Sequence, residues 1–199
     1  DKAGRMTKII QDPGTSPHLD ITTVYDYDPA GNLLTVTDPN GNKTAYIYDN
    51  VNRRITMTQD PAGLGLTTSF VYDPNGNVLT QTDAEGVVTA YEYCSKDLVT
   101  KQIVDAGVGT LNLTTTYDVC AMKRITKMED PEGKVTRYYY DGLYRRTKVT
   151  DDYDEYASNL NISTSYFYDK VGNLTEVRDT NGDPEDWVNR YTYDKLDRR

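Results

Sequence analysis

The chain has 199 residues, of which only 37% are apolar although 18 tyrosines are included in that count, and its mean hydropathy is −0.72. This composition excludes a thick core of Leu, Ile and Phe, so packing must come from tyrosine, whose ring buries apolar area while its hydroxyl keeps a hydrogen bond. The net charge is −9 and the basic residues are scattered, which excludes a clustered nucleic-acid-binding face, and no apolar stretch is long enough for membrane insertion by this segment.

A short motif, aromatic residue, any residue, Tyr, Asp, returns along the whole chain and is an internal repeat. Its clearest copy is Tyr46-Ile47-Tyr48-Asp49. The second tyrosines are separated by steps of 21 to 28 residues, the size of one supersecondary unit. The repeated positions are Tyr27 and Asp28, Tyr48 and Asp49, Tyr72 and Asp73, Tyr117 and Asp118, Tyr140 and Asp141, Tyr168 and Asp169, Tyr193 and Asp194, and Tyr93, which Cys94 follows.

Each repeat is predicted to be one β-hairpin. In the unit that begins at Tyr27, residues 28–32 predict a first turn, 33–37 a strand, 38–42 a second turn and 43–48 the returning strand. Asp or Asn opens such turns, Pro presets φ and Gly accepts a positive φ, while the runs between them are rich in the Thr, Val and Tyr of strands. The sequence therefore predicts an all-β array of stacked hairpins in one long antiparallel sheet.

The predicted sheet has about sixteen strands, since residues 1–199 form a single array of about eight repeats. Twisted open sheets rarely exceed about ten strands without curling, so we expect the sheet to coil as part of a shell or a spiral. The chain starts at Asp1-Lys2-Ala3-Gly4-Arg5, which matches a first turn, and its last residues again follow a Tyr-Asp pair. We therefore expect a fragment of a longer repeat protein.

The two tyrosines of each motif point to the same face of the sheet, because side chains alternate along a strand. This face collects a column of tyrosines, to which we assign the cohesion of the array. The aspartates that follow are assigned to turn formation. The residues between the tyrosines vary, as Ile47, Val71 and Thr192 illustrate, and this variation predicts a wetter opposite face.

Cys94 and Cys120 are the only cysteines, one in each of two consecutive first turns. A disulfide requires Cα atoms about 4.4 to 6.8 Å apart. Equivalent positions on stacked hairpins lie roughly 9.6 Å apart, so a bridge needs a local distortion. Two free thiols and one disulfide both remain open.

The residues offer little for catalysis or metal binding. His18 is the only histidine. A metal site built from several histidines is therefore excluded, and the residues do not indicate a Ser/His/Asp catalytic relay. Aspartates that recur in every hairpin indicate turns, since glycoside hydrolysis needs one special pair of carboxylates. The acidic stretches 151–156 and 179–186 hold oxygen ligands suited to calcium but lack EF-hand spacing, so solvated loops are favoured. We expect no catalytic residue and no cofactor.

Three runs carry a family pattern: Tyr27-Asp28-Pro29-Ala30-Gly31-Asn32-Leu33, Tyr72-Asp73-Pro74-Asn75-Gly76-Asn77-Val78 and Tyr168-Asp169-Lys170-Val171-Gly172-Asn173-Leu174. They resemble the YD repeat of RHS proteins, which also occurs in the B and C components of bacterial toxin complexes and in teneurins. The resemblance extends over essentially the whole chain. It implies a sheet that winds into a hollow shell, which in bacterial members commonly encloses a toxic C-terminal domain.

This resemblance predicts a non-enzymatic wall segment of a secreted or cell-surface protein, of bacterial origin. Its expected partners are the remainder of its own repeat array and an enclosed or attached effector polypeptide. Two alternatives remain open. Exposed strand edges would let further copies pair into an extracellular fibre, and a tyrosine-rich face would let an adhesin-like module stack on glycans.

Overall fold

The protein is described from a computed structural model that covers residues 1–12, 14, 21–120, 122–151, 162–180 and 187–194. His18 lies outside these described residues, as do 152–156 and 181–186, which make up most of the two acidic stretches. Over the ranges covered, no helix is long and apolar enough to cross a membrane.

The described residues form sixteen β-strands whose order in the sheet is their order in the chain. This arrangement confirms the predicted all-β array of hairpins in one antiparallel sheet. The strands are β1 (Lys8–Gln11), β2 (Ile21–Tyr27), β3 (Leu33–Thr37), β4 (Lys43–Tyr48), β5 (Arg54–Gln59), β6 (Leu66–Tyr72), β7 (Val78–Thr82), β8 (Val88–Tyr93), β9 (Val99–Val104), β10 (Leu113–Val119), β11 (Ile125–Glu129), β12 (Val135–Tyr140), β13 (Arg146–Asp151), β14 (Ile162–Tyr168), β15 (Leu174–Thr180) and β16 (Trp187–Arg190).

Internal contacts divide the chain into two compact units. The first comprises Asp1–Ala90 and Val104–Leu111, and the second comprises Tyr91–Ile103 and Asn112–Arg199. Within the first unit β4 pairs with β3 on one side and β5 on the other, both antiparallel. Within the second, β14 pairs with β13 and β15 in the same way. Both units are therefore built from the same kind of antiparallel hairpin.

A β-bulge marks the end of five described strands that finish on a second tyrosine. In β4, Ile47 pairs with Thr56 but Tyr48 pairs with Arg54, so Ile55 of the next strand is the extra residue. The same shift precedes Tyr27, Tyr72, Tyr140 and Tyr168. Because the extra residue lies on the strand that follows the turn, the tyrosine strand keeps its alternation, and the local twist increases beside the turn.

The hairpin β10–β11 corrects one predicted alignment. The bulge follows Asp118, and Val119 pairs with Ile125 as Tyr48 pairs with Arg54. Tyr117 is therefore the first aromatic of its repeat, and Asp118 is an exposed residue inside β10. The turn assigned to Asp118 begins two residues later, at Cys120. Tyr117 and Asp118 match the sequence motif, but the β-bulge and the turn fix the register between β10 and β11.

The sheet is one layer thick and has almost no core. Among the described residues Val149 is the buried apolar side chain, with 9% of its surface exposed. Between the tyrosines, Ile47 and Val71 are more than half exposed, at 57% and 55%. These exposures agree with the wetter opposite face that the variable residues between the tyrosines predict, and cohesion must come from contacts between neighbouring strands and turns.

The turn glycines provide a first test. Gly76 has a φ of +94° with no atom within 4 Å of an added Cβ, and Gly142 has the same free space without a positive φ. We expect Gly76→Ala to lower the free energy of unfolding by about 1 to 2 kcal/mol, the cost of a left-handed backbone with a side chain. The measurement is the urea midpoint, and Gly142→Ala is the matched control that should leave it in place. Equal effects of the two variants would contradict the turn geometry.

Candidate functional site

Within each unit the first turns lie side by side at one edge of the sheet, and we call this edge the turn edge. Each first turn spans five residues and is closed by its first residue, whose backbone N–H donates to the carbonyl of the fifth, as from Asp28 to Asn32 at 2.9 Å. The Asp28 carboxylate also accepts the backbone N–H of Asn32 at 2.8 Å. The described first turns closed by these backbone bonds begin at Asp28, Asp49, Asp73, Cys94, Cys120, Asp141 and Asp169.

Hydrogen bonds stabilise the charged form of these turn aspartates. The side chain of Asn32 lowers the pKa of Asp28, and its backbone N–H adds to this effect. The backbone N–H of Arg53 lowers the pKa of Asp49, with the Arg53 side chain acting in the same direction. The carboxylates at the turn edge are therefore ionised acceptors engaged in closing turns.

Six of the second tyrosines in the described residues bond across the open end of their hairpins. The Tyr48 hydroxyl, at the end of β4, donates to the Leu33 carbonyl at the start of β3, at 3.0 Å. Burial raises the pKa of this hydroxyl, which keeps it a donor. The same bond, always to the carbonyl of the residue that follows a first turn, joins Tyr27 to Met6, Tyr72 to Arg54, Tyr140 to Ile125, Tyr168 to Arg146 and Tyr193 to Leu174.

Three arginines connect one first turn to the next, and we call this contact the arginine clasp. Arg53 Nε donates to Asp49 Oδ2 of its own turn at 2.7 Å, and Nη1 donates to the backbone carbonyl of Asp73 at 2.7 Å. Its guanidinium also lies 4.9 Å from the centre of the Tyr72 ring. Arg5 and Arg145 make the equivalent contacts in the turn pairs beginning at Asp1 and Asp28, and at Asp141 and Asp169.

The turns that receive a clasp carry asparagine as their fifth residue. Asn32 Nδ2 donates to Asp28 Oδ2 at 2.8 Å and to Asn52 Oδ1 of the following turn, also at 2.8 Å. Asn77 and Asn173 bond the carboxylate of their own turn in the same manner. Clasping and receiving turns thus alternate over these pairs, so the working unit of the turn edge is two hairpins long.

The sequence predicted where the tyrosines lie but not what they contact. Phe70 and Tyr72 form a stacked ring pair with centroids 6.5 Å apart. Most of the recorded ring contacts in the described chain are instead with guanidinium groups, and the hydroxyl bonds to carbonyls carry no sequence signature. The arginine clasp does have a sequence signature, the spacing Asp-x-x-x-Arg, which occurs at Asp49 to Arg53 and at Asp141 to Arg145.

Little in the described residues suggests a chemical centre. Over the ranges covered, no group of three or more His, Cys, Asp and Glu side chains is arranged to hold a metal ion. An open groove of about 430 Å³ beside β12 and β14 is lined by tyrosine and arginine, including Tyr140, Tyr166 and Arg146, without a carboxylate, thiol or imidazole. Cys94 and Cys120 are free thiols in the structure.

Comparisons with known proteins agree with this architecture. A family model described as RHS Repeat matches residues 27–64, 72–107 and 123–155, more than half of the chain. No curated protein matches the sequence.

Solved structures resemble the fold at low sequence identity. A crystal structure of TcdB2-TccC3-Cdc42 has a TM-score of 0.73 at 19% identity over 89% of this chain, and TcdB2-TccC3 without its hypervariable C-terminal region has 0.74 at 20% over 89%. A Tc holotoxin pore of Photorhabdus luminescens has 0.71 at 19% over 87%. This chain spans only about 10% of each of those chains. At these identities the likeness concerns the fold alone.

The Tyr48 hydroxyl and ring can be tested separately. We expect Tyr48→Phe to lower the free energy of unfolding by about 1 kcal/mol, because the bond to the Leu33 carbonyl is lost. Tyr48→Ala should cost about 3 kcal/mol, because the half-buried ring is lost as well. Urea denaturation measures both, and Tyr139→Phe, on the opposite face, is the control expected to have no effect. A Tyr48→Ala loss below about 1 kcal/mol would argue against the tyrosine column.

The arginine clasp should depend on the planar shape of the guanidinium group and not only on its positive charge. Arg53→Lys keeps the cation but removes the planar fork that reaches both turns and the Tyr72 ring, so we expect a loss of about 1 kcal/mol in the free energy of unfolding. Arg190→Lys is the matched control, because Arg190 is largely exposed and, among the described residues, pairs with Glu176 at 3.0 Å, a surface ion pair of small effect. If the two variants unfold at the same urea midpoint, the clasp contributes nothing.

Proposed function

Because the chain belongs to the RHS repeat family, we propose that it is a wall segment that encloses an effector region of the polypeptide to which it belongs. The observation that carries this proposal is the one-layer sheet, whose hairpins are joined to their neighbours at the turn edge without a second layer. A wall of this kind grows in length without growing in thickness, since each repeat contacts mainly its neighbours. That is the property needed to surround another polypeptide.

The two faces of the sheet are suited to different contacts. One carries the half-buried tyrosines and the arginines that stack on them. The other exposes apolar side chains such as Ile47, Val71 and Phe167, the last at 44% of its surface. Exposed apolar residues are suited to a polypeptide held against the wall, and their scatter among Thr and charged residues suits weak, releasable contact rather than a fixed interface.

The comparisons support enclosure by analogy. The TcdB2-TccC3 structure without its hypervariable C-terminal region still matches at a TM-score of 0.74, so the part of that protein that resembles this chain keeps its fold when this region is absent. By analogy, the partners of the present chain are the remainder of its repeat array and a variable effector segment, in a protein secreted by or displayed on a bacterium. In this proposal the wall is not an enzyme, because its recurring aspartates are engaged in closing turns.

Protease protection tests the enclosure. The full-length protein encoded by the reading frame that contains this segment would be treated with a nonspecific protease, and the fragments would be identified by mass spectrometry. We expect the enclosed region to be cleaved at least about tenfold more slowly than in urea, because a closed wall excludes the protease. Arg53→Lys combined with Tyr48→Ala should reduce this protection, while Arg190→Lys should not.

Two outcomes would contradict enclosure. One is cleavage of every region outside the repeats at the same rate in buffer and in urea. The other is the appearance of filaments with the hairpin repeat along their axis in electron micrographs, which would support the fibre alternative instead.

A further inference from the structure

One place on the turn edge lacks the arginine clasp that its spacing predicts. Clasped turns begin 24 to 28 residues apart, whereas unclasped neighbours, such as those at Asp28 and Asp49, begin 21 residues apart. The turns at Cys94 and Cys120 begin 26 residues apart. The spacing of this pair and its place in the alternation of turns therefore both predict an arginine clasp between Cys94 and Cys120.

All four residues of the clasp differ at this pair of turns. Cys94 and Cys120 replace the two turn aspartates, Leu98 replaces the arginine, and Val119 replaces the tyrosine on which the arginine stacks. The backbone of both turns is nevertheless closed in the usual way, with N–H to carbonyl bonds of 2.9 Å from Cys94 to Leu98 and from Cys120 to Arg124. The fold of the turns is kept while the link between them is removed.

The space left by the clasp is a cavity that both thiols line. It measures about 230 Å³ and is bounded by Cys94, Ser95, Lys96, Leu98, Val119 and Cys120. Both cysteines are partly exposed. A small reagent can therefore reach either cysteine, and the side chains of Leu98 and Val119 line the same space as the two thiols.

The turns also activate the thiols. Each Sγ takes the place of a carboxylate oxygen and accepts backbone N–H groups, from Lys96 and Leu98 at Cys94 and from Met122 and Arg124 at Cys120. These hydrogen bonds lower the pKa of both thiols, and the Lys96 and Arg124 charges act in the same direction. The thiolate is the reactive form of cysteine, so both positions favour exchange chemistry.

We propose that Cys94 and Cys120 form a modification site that closes to a disulfide by exchange with a small-molecule disulfide, and that this bond replaces the missing arginine clasp. One protein thiolate attacks a sulfur of the small disulfide, forming a mixed disulfide and releasing one small thiolate. The second protein thiolate attacks the protein sulfur of that mixed disulfide and releases the other small thiolate. Two protein thiolates are thereby oxidised by two electrons, and one disulfide is reduced to two thiolates.

Closure requires a small movement of the two turns toward each other. Equivalent positions on stacked hairpins are roughly 9.6 Å apart, and a disulfide needs Cα atoms within about 6.8 Å. The cavity of about 230 Å³ gives the turns room to approach, and the side chains of Leu98 and Val119 that line it have to shift as they do. The proposal concerns cohesion between two hairpins and does not depend on whether the array encloses a polypeptide.

Intact-mass measurement after incubation with oxidised glutathione tests the proposal. We expect the wild-type protein to lose two hydrogens and gain no glutathione, and a digest without reductant to contain a peptide that links Cys94 to Cys120. Cys94→Ser and Cys120→Ser should each retain one glutathione on the remaining cysteine. Oxidation should raise the melting temperature of the wild type by roughly 5 to 10 °C, because the bond closes a loop between the two turns.

The control variant is Cys94→Asp with Cys120→Asp, which restores the carboxylates that close other first turns and should melt at the same temperature with and without oxidant. The proposal is overturned if the wild type carries a glutathione on each cysteine, if it links to a second copy of the chain, or if its mass does not change. A disulfide that forms without raising the melting temperature would contradict the proposal that this bond takes over the stabilising role of the arginine clasp.

Discussion

The hydrogen bond from a tyrosine hydroxyl to a backbone carbonyl, found at the open ends of six described hairpins, is the interaction on which this array depends. A lone hairpin is marginal in water, and a sheet one layer thick has no facing layer to hold its strands together. The bond from Tyr48 to the Leu33 carbonyl joins the two ends of a hairpin where the ladder stops. It also explains the motif, because the tyrosine must precede the turn residue that closes the next first turn.

The arginine clasp adds a second level of order to the same edge. Clasps join three alternate pairs of turns, and at Asn32 an asparagine bond to Asn52 joins two turns that have no clasp between them. Stability should therefore accumulate from neighbour to neighbour, as in other repeat proteins. The link between two turns can be exchanged without altering the fold on either side. The two cysteines occupy such an exchanged link.

Much of the fold followed from local signals in the sequence. Turn residues at fixed offsets from Tyr27 gave the limits of β3 and β4 as residues 33–37 and 43–48, which agree with the structure. The same signals failed at Tyr117 and Asp118. A chance Tyr-Asp pair there resembled the motif, while the true turn begins with Cys120 and follows Val119, neither of which matches it.

The site was less predictable than the fold. Tyr48 and Asp49 were singled out, but a backbone carbonyl acceptor such as that of Leu33 leaves no trace in side-chain identity. The clasp joins Arg53 to Asp73, 20 residues away, so its meaning depends on the register that places one turn beside the next. The arginine spacing was visible, but the ring and the carbonyl that receive the arginine were not.

Native-state hydrogen exchange of the wild type and of Tyr48→Ala tests the central claim most directly. If cohesion passes only between neighbours, amide protection should fall in β3, β4 and β5 and stay unchanged in β14 and β15. A uniform loss of protection over all described strands would contradict the account, because it would mean that the chain is held together by a shared core and not by links along the turn edge.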